Sequence, residues 1–180
     1  MKFISLGSGS SGNCYLLQSG ETSILLDAGI SIRSLKKHLK DCDVSLEHDV
    51  KAVFVTHDHA DHIKSVGCIA CDYGKTIYAT QLVHEGIACN RCLKIDVPNN
   101  RKAFIEKGTT LEVGNFRITP FDVPHDSRDC VGRLGEDIER SRQGDADLLG
   151  IQCVFSAVDD AAESPYRVLF SHNEFQFTGL

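Results

Sequence analysis

The sequence predicts an α/β protein of the α+β kind, in which a mixed β-sheet is backed by helices. Two observations predict it: the chain opens with three short apolar strands, and strand and helix patterns then alternate. Of the 180 residues, 42% are hydrophobic and 24% are charged, which is typical of a globular protein. One domain with one sizeable core is the default expectation.

The first third of the chain predicts an antiparallel start followed by a helix. Gly20 and Glu21 are suited to join two strands as a hairpin. Ser31 can cap a helix that ends near Lys40 and carries apolar residues on one face. The expected strands are residues 2–6, 14–18 and 23–27.

The middle of the chain predicts alternating strands and helices. Residues 50–56 are almost all apolar, so this strand is expected to be buried on both faces. A helix over 61–73 should end at Gly74, and Gly114-Asn115 should turn a hairpin. The remaining expected elements are strand 76–79, helix 82–88, an extended piece over 93–97, and the hairpin strands 111–113 and 116–118.

The most informative stretch is His57-Asp58-His59-Ala60-Asp61-His62, directly after strand 50–56. A strand that stops at Thr56 can aim His57 and His59 at one point, while Asp61 and His62 face a second point nearby. Imidazole and carboxylate are ligands that zinc favours. Two ions about 3.5 to 4 Å apart can share a water molecule and lower its pKa to about 7. The stretch therefore predicts metal-assisted hydrolysis; the alternative is a histidine-rich surface loop.

Four motifs carry a resemblance that covers roughly residues 1–132. They are Gly-Ser-Gly-Ser-Ser-Gly-Asn-Cys at 7–14, Leu-Asp-Ala-Gly at 26–29, Thr-His-Asp-His-Ala-Asp-His at 56–62 and Val-Pro-His-Asp at 123–126. Together they resemble the metallo-β-lactamase superfamily, and within it the small metallohydrolases of the WalJ (YycJ) type. The resemblance implies an αβ/βα sandwich, a metallo-β-lactamase-like fold, with a dinuclear site at one edge of the sheets.

The resemblance also implies roles for particular residues. His57, His59 and His125 would bind a first metal ion, and Asp61 and His62 would bind a second. Asp61 and His59 are the candidate catalytic residues, and the two divalent ions would be zinc or, as a second choice, manganese. Members of this type are thought to act as phosphodiesterases or exonucleases, so the resemblance implies DNA as substrate.

The end of the chain departs from the family pattern. Residues 129–180 contain four arginines and no lysine, and no family motif surrounds Asp145, Asp147 or His172. We therefore expect a metallo-β-lactamase-like part over 1–132 and an atypical segment over 133–180 without clear partner strands for the first part. An alternative function follows: a truncated, catalytically incomplete remnant that binds one metal ion or none.

The cysteines offer a further alternative. Cys68-x-x-Cys71 and Cys89-x-x-Cys92 match the spacing of a four-cysteine zinc ribbon, which would make the chain a binding module. Against this, Cys68 and Cys71 fall one turn apart in a predicted helix, where cysteine serves as a small core residue. With no export signal recognised at the N-terminus, reduced thiols and a cytoplasmic location are expected.

Three further expectations concern charge, supporting carboxylates and glycines. The net charge of −6 disfavours a broad basic surface for nucleic acid, although bound metals can supply local positive charge. Asp27 and Asp58 are candidates to accept a hydrogen bond from the N–H of a metal-bound imidazole. For Asp27 the alternative is a structural role in a turn.

Gly7-x-Gly9-x-x-Gly12 fits the letters of a dinucleotide-binding fingerprint, but a strand pattern follows where that motif needs a helix. These glycines are expected instead to let a turn sit close to the metal loop.

Overall fold

The computed structural model describes residues 2–106 and 108–122, and four later strand segments at 151–159, 162–163, 166–171 and 174–179. These residues form two six-stranded sheets. The first sheet has its strands in chain order, antiparallel from β1 to β3 and parallel from β3 to β6. Its strands are β1 (Lys2–Gly7), β2 (Cys14–Ser19), β3 (Thr22–Leu26), β4 (Val50–Phe54), β5 (Thr76–Ala79) and β6 (Lys102–Phe104).

The second sheet is antiparallel and runs in the order β12-β11-β9-β8-β7, with β10 beside β9. The expectation that the C-terminal segment lacks partner strands is wrong, because β9 pairs with β8. In this pairing Phe116 lies opposite Ala157 and Asp122 lies opposite Ile151. That pairing joins stretches separated by 28 residues along the chain, which local pattern cannot reveal. The strands are β7 (Leu111–Val113), β8 (Phe116–Asp122), β9 (Ile151–Asp159), β10 (Ala162–Glu163), β11 (Tyr166–Ser171) and β12 (Glu174–Gly179).

Four α-helices are described: α1 (Ile32–Asp41), α2 (Ala60–Ile63), α3 (Val66–Asp72) and α4 (Gln81–Cys89). Ser31 caps α1 as predicted, accepting a hydrogen bond from the Ser34 N–H. The single helix expected over 61–73 is instead broken into α2 and α3. Ser65 lies at the break, where its N–H donates to Ala28 O and its hydroxyl donates to Ile30 O. None of the described helices is both long enough and apolar enough to cross a bilayer.

The core forms on both faces of the first sheet because successive strand residues point to opposite sides. In β4, Val53 faces the helices, while Ala52 and Phe54 face the second sheet. Phe116 and Ile118 of β8 are fully buried against that second face. The layers are therefore helices, first sheet and second sheet.

Within residues 2–106, one predicted element is absent and one unpredicted strand is present. Residues 93–97 form no strand; they run along α3, where the Ile95 carbonyl lies against Gly67 so closely that a Cβ at Gly67 would overlap it. β6, the short Lys-Ala-Phe strand, carries no apolar run that would signal it. β4 ends two residues earlier than expected, although the Val55 N–H still donates to Tyr78 O at 2.9 Å.

Candidate metal centre

The residues singled out in the His-Asp-His-Ala-Asp-His stretch, called here the histidine loop (residues 57–62), lie at the carboxyl ends of the parallel strands. β3 ends just before Asp27, and β4 ends three residues before His57. In open α/β sheets this edge is where ligands bind, because the loops that leave the strands diverge there. The topology therefore brings the loop after β3 and the histidine loop to one place.

Three loops are joined at this edge by hydrogen bonds between backbone groups. The Asn13 N–H donates to Asp61 O at 2.7 Å, the Ala28 N–H to His62 O at 2.7 Å, and the Gly29 N–H to Asn13 O at 2.8 Å. Gly29 permits this approach, since a Cβ there would overlap the Asp61 carbonyl. The expectation that the glycine-rich turn sits close to the metal loop is confirmed.

The histidine side chains of the loop come together. The ring centroids of His57 and His62 are 3.8 Å apart, and those of His57 and His59 are 4.6 Å apart. His57 and His62 are only 2% and 4% exposed, whereas His59 is partly exposed. The cluster thus has two rings set into the protein and a third ring nearer its surface.

Hydrogen bonds fix the orientation of both buried rings. His62 Nδ1 lies 2.8 Å from Asp27 Oδ2, and His57 Nδ1 lies 2.9 Å from Thr56 Oγ1. Asp27 is fully buried and also accepts hydrogen bonds from the Thr56 N–H and the Thr56 hydroxyl. With Nδ1 engaged in this way, Nε2 is the ring nitrogen that remains to face the cluster. Sequence reasoning missed the role of Thr56.

Burial and nearby carboxylates act in opposite directions on His62. Burial is the largest single effect and opposes protonation, but Asp27 and Asp61 together outweigh it and raise the pKa of His62. Asp27 also has a φ of 56°, in the left-handed region that non-glycine residues seldom adopt. Strained backbone of this kind persists where the surroundings hold it in place, and here the Asp27 N–H is held by Phe54 O at 2.8 Å.

Asp58, the other carboxylate singled out in the sequence, has different surroundings from Asp27. Its carboxylate packs against Gly86 of α4, where an added Cβ would overlap Oδ2. Its carbonyl oxygen accepts a hydrogen bond from Asn90 Nδ2 at 2.7 Å. Asp58 therefore ties the histidine loop to α4 and to the segment that follows it.

The carboxylate of Asp61 lies next to the ring nitrogen Nε2 of His62. Asp61 Oδ2 lies 3.6 Å from His62 Nε2, and Asn13 Nδ2 lies 3.0 Å from both atoms. Two ligands of one tetrahedral zinc ion are about 3.3 Å apart when each bond is about 2.0 Å long. The observed separation and the donor types fit a divalent ion shared by Asp61 and His62.

Part of the expected ligand set is not described by the structure. His125 lies outside the described residues, as do Asp145, Asp147 and His172. Among the described residues, no group of three or more histidine, cysteine, aspartate and glutamate side chains converges to hold a metal ion. The histidine loop thus contributes adjacent donors rather than a complete set of ligands.

The cysteines do not assemble into a ribbon. All four belong to the part of the chain in which no such metal-binding group is found. Cys68 Sγ lies 2.9 Å from Asp72 Oδ2, and burial with this carboxylate raises the pKa of Cys68 to about 11. Cys71 Sγ faces Asp96 O, while Cys89 and Cys92 are exposed. Six cysteines are free thiols: Cys14, Cys42, Cys68, Cys71, Cys89 and Cys92.

The structure also answers two smaller questions, about the glycine-rich stretch and about His84. β2 follows Gly12 closely, so the glycine-rich stretch lacks the helix that a dinucleotide fingerprint requires. His84 of α4 is buried, and its Nε2 lies 3.1 Å from Ala103 O. It serves as a packed residue beneath β6.

Comparisons with known proteins agree with the fold and the motifs. A family model described as "Beta-lactamase superfamily domain" matches residues 22–146. The exodeoxyribonuclease WalJ of Streptococcus pneumoniae is 35% identical over 127 residues, covering 70% of this chain and 46% of the relative. The exodeoxyribonuclease YycJ of Bacillus anthracis is 30% identical over 127 residues, covering 71% of this chain and 47% of the relative. The chain spans about half the length of the curated relatives it matches.

Solved structures give the same fold at low sequence identity. A B3 metallo-β-lactamase with an active-site glutamic acid superposes with a TM-score of 0.65 at 14% identity, covering 97% of this chain and 63% of that one. The class B3 di-zinc metallo-β-lactamase LRA-12, from an Alaskan soil metagenome, has a TM-score of 0.62 at 15% identity, covering 89% and 58%. The αβ/βα sandwich expected from the motifs is confirmed. The chain therefore belongs to the beta-lactamase superfamily, and its relatives include the exodeoxyribonucleases WalJ and YycJ.

Proposed function

We propose that this protein is a metal-dependent hydrolase that uses a metal-activated water molecule to cleave phosphodiester bonds in DNA. The observation that carries the proposal is that the rings of His57, His59 and His62 lie side by side at the carboxyl edge of the parallel strands, with Asp61 next to His62. The names of the two exodeoxyribonuclease relatives support DNA as the substrate. The cytoplasmic location expected from the sequence stays a prediction.

The proposed roles follow the sequence expectation. His57 and His59, with His125, hold a first divalent ion, and Asp61 and His62 hold a second. Asp27 and Thr56 keep the two buried rings in place by engaging Nδ1, so that Nε2 presents its lone pair. Zinc suits these nitrogen and oxygen donors, and manganese is the second choice.

The ions, when bound, would act as Lewis acids and lower the pKa of water. The chain contributes fixed donors that need not reorganise during the reaction, because the backbone bonds among three loops hold them. Burial of His57 and His62 also excludes bulk water from one side of the cluster. Asp61 and His59, which are less buried, face the side that a substrate can approach.

Substitution of His59 tests the proposal. His59→Ala should reduce metal-dependent cleavage of labelled DNA by at least about 100-fold while the circular dichroism spectrum stays unchanged. His48→Ala is the matched control, since the His48 side chain is 81% exposed and lies on another loop. Unchanged cleavage in His59→Ala would refute the proposal.

Metal analysis separates the enzyme from the alternative remnant. The purified chain should contain two divalent ions per molecule if all the proposed ligands are present. One ion without turnover, or none, would favour a catalytically incomplete remnant. The chain spans about half the length of its curated relatives, so the same measurement on one of these full-length relatives is the natural comparison.

A further inference from the structure

The side-chain amide of Asn13 lies between the glycine-rich turn and the proposed metal ligands. Its Nδ2 is 3.0 Å from Asp61 Oδ2, 3.0 Å from His62 Nε2 and 3.2 Å from Gly9 O. Asn13 is 3% exposed, so its amide group is shielded from water. A buried amide with three polar neighbours on its nitrogen is positioned by specific contacts rather than by packing alone.

The surroundings fix which way the amide points. Its Oδ1 accepts hydrogen bonds from the Gly9 N–H at 3.0 Å and from the Tyr15 hydroxyl at 3.3 Å. An NH2 group in that place would face the N–H donor of Gly9, which is unfavourable. The NH2 end therefore faces Asp61 and His62.

The number of hydrogens on Nδ2 does not match the number of acceptors. An amide NH2 has two hydrogens, yet three acceptors surround it: Gly9 O, Asp61 Oδ2 and His62 Nε2. His62 Nε2 accepts because its Nδ1 carries the hydrogen that faces the Asp27 carboxylate. A nitrogen lone pair cannot accept a hydrogen bond and bind a metal ion at the same time. Metal binding at His62 would leave two acceptors for two hydrogens.

We propose that Asn13 is a positioning residue for Asp61: its amide moves away from His62 Nε2 when an ion binds there, and it keeps its hydrogen bond to Asp61. The inference rests on the proposed function, because it requires an ion at Asp61 and His62. Asn13 acts through Asp61 and does not itself bind the ion. The same amide connects the metal site to the exposed turn at residues 8–11, since both of its polar atoms contact Gly9.

Nuclear magnetic resonance of the side-chain amides gives a readout independent of activity. Addition of Zn²⁺ to the ¹⁵N-labelled chain should shift the Asn13 NH2 signals and the Gly9 N–H signal. The Asn115 NH2 signals are the internal control, because Asn115 donates to Ser19 O at 3.2 Å in a turn between β7 and β8. Zinc binding that leaves the Asn13 NH2 signals unmoved would overturn the inference.

Asn13→Leu is the sharper variant because it keeps the approximate shape of the side chain and removes the NH2 group that donates to Asp61 Oδ2. Without that donor the Asp61 carboxylate is no longer held in place. Zinc affinity, measured by competition with a chromophoric chelator, should therefore fall at least about tenfold, which corresponds to about 1.4 kcal/mol. Asn115→Leu is the matched control and should bind zinc as the wild type does.

The outcomes distinguish the inference from the proposed function. If the wild type binds no divalent ion, the proposed function fails and the inference fails with it. If the wild type binds zinc and Asn13→Leu binds it equally or more tightly, only the inference fails. Should Asn13→Leu not fold, the zinc response of the wild-type Asn13 signals decides.

Discussion

Two parts of the molecule hold side chains of the kinds that bind metals, and their surroundings differ. The histidine loop follows a buried parallel strand and is tied by backbone bonds to two other loops. The cysteine pairs lie in and after two helices, and each of their four thiols is either exposed or bonded to an exposed carboxylate. Residue spacing is favourable in both parts, and in the histidine loop three imidazole rings lie side by side, with neighbouring centroids 3.8 and 4.6 Å apart.

The difference lies in what supports the side chains. The buried imidazoles in the loop each have an oxygen partner on Nδ1, which fixes the ring before any ion arrives. A cysteine has no second donor or acceptor with which its orientation could be fixed in this way. A motif of metal-ligand residues therefore indicates a metal site when two further conditions hold. Oxygen atoms must fix the orientation of its side chains, and the motif must lie at the edge of a sheet where the parallel strands end.

The largest expected effect comes from removing the charge of Asp27. In Asp27→Asn, the new NH2 group would face a donor, either Thr56 or His62, in a buried place. We expect the free energy of unfolding to fall by about 2 to 4 kcal/mol and zinc affinity to fall about 10- to 100-fold. Asparagine tolerates the positive φ at this position, so backbone strain does not explain the loss. Chemical denaturation and chelator competition measure the two effects.

The matched control is Asp72→Asn at the exposed carboxylate beside Cys68. This change should alter the unfolding free energy by less than about 0.5 kcal/mol. If both variants behaved alike, the contrast between the two parts would be lost.

Gly29 and Gly67 each lie so close to a backbone carbonyl that a side chain would not fit, and only Gly29 is next to the histidine loop. A methyl group at Gly29 would overlap the Asp61 carbonyl, and one at Gly67 would overlap the Ile95 carbonyl. Gly29→Ala and Gly67→Ala should each lower the unfolding free energy by about 1 to 3 kcal/mol. Only Gly29→Ala should also weaken zinc binding, as measured by calorimetry. Equal zinc affinities in the two variants would contradict the importance of the joined loops.

His84 is a buried histidine outside the histidine loop, and its protonation should affect the stability of the protein. Burial, reinforced by Lys102, lowers the pKa of His84 below its ordinary value of 6.5 despite its bond to Ala103 O. The unfolded chain therefore takes up this proton first as pH falls below about 6.5, and stability is lost toward acidic pH. His84→Gln should lose less stability than the wild type between pH 7 and 5 in denaturation experiments. A steeper loss of stability in His84→Gln would show that the pKa of His84 is raised rather than lowered. His48→Gln, at an exposed histidine, is the control.

The smallest effect is expected from the cysteines. Cys89→Ser with Cys92→Ser should change the unfolding free energy by less than about 0.5 kcal/mol, because both thiols are exposed. Metal content by mass spectrometry should also stay unchanged. Release of an ion from this double variant would restore the zinc-ribbon alternative.

Local sequence patterns predicted the elements whose signals are local. The hairpin at Gly20-Glu21, the Ser31 cap and the Gly114-Asn115 turn are all confirmed, because each depends on residues within a few positions. The break at Ser65 was missed because its cause is distant in sequence: the carbonyls of Ala28 and Ile30. The pairing of β8 with β9 was missed for the same reason.

The candidate site was predicted in part. The compact spacing of the histidine loop indicated its chemistry, and the structure places these residues side by side. Thr56 and Asn13 were missed, since neither is a ligand type and their contacts appear only when the loops meet. A polar residue at a strand end next to a ligand motif is the signal that could have identified Thr56.

The three loops at the carboxyl edge are joined through main-chain N–H and C=O groups, which every residue type except proline possesses. Asn13, Ala28 and Gly29 donate these bonds from their main-chain nitrogens, and Asp61 and His62 accept two of them at their main-chain oxygens. Donor side chains can therefore be exchanged one at a time while the framework persists. We expect laboratory selection to retune which ion the cluster favours, by trading imidazole for carboxylate, without redesign of the scaffold.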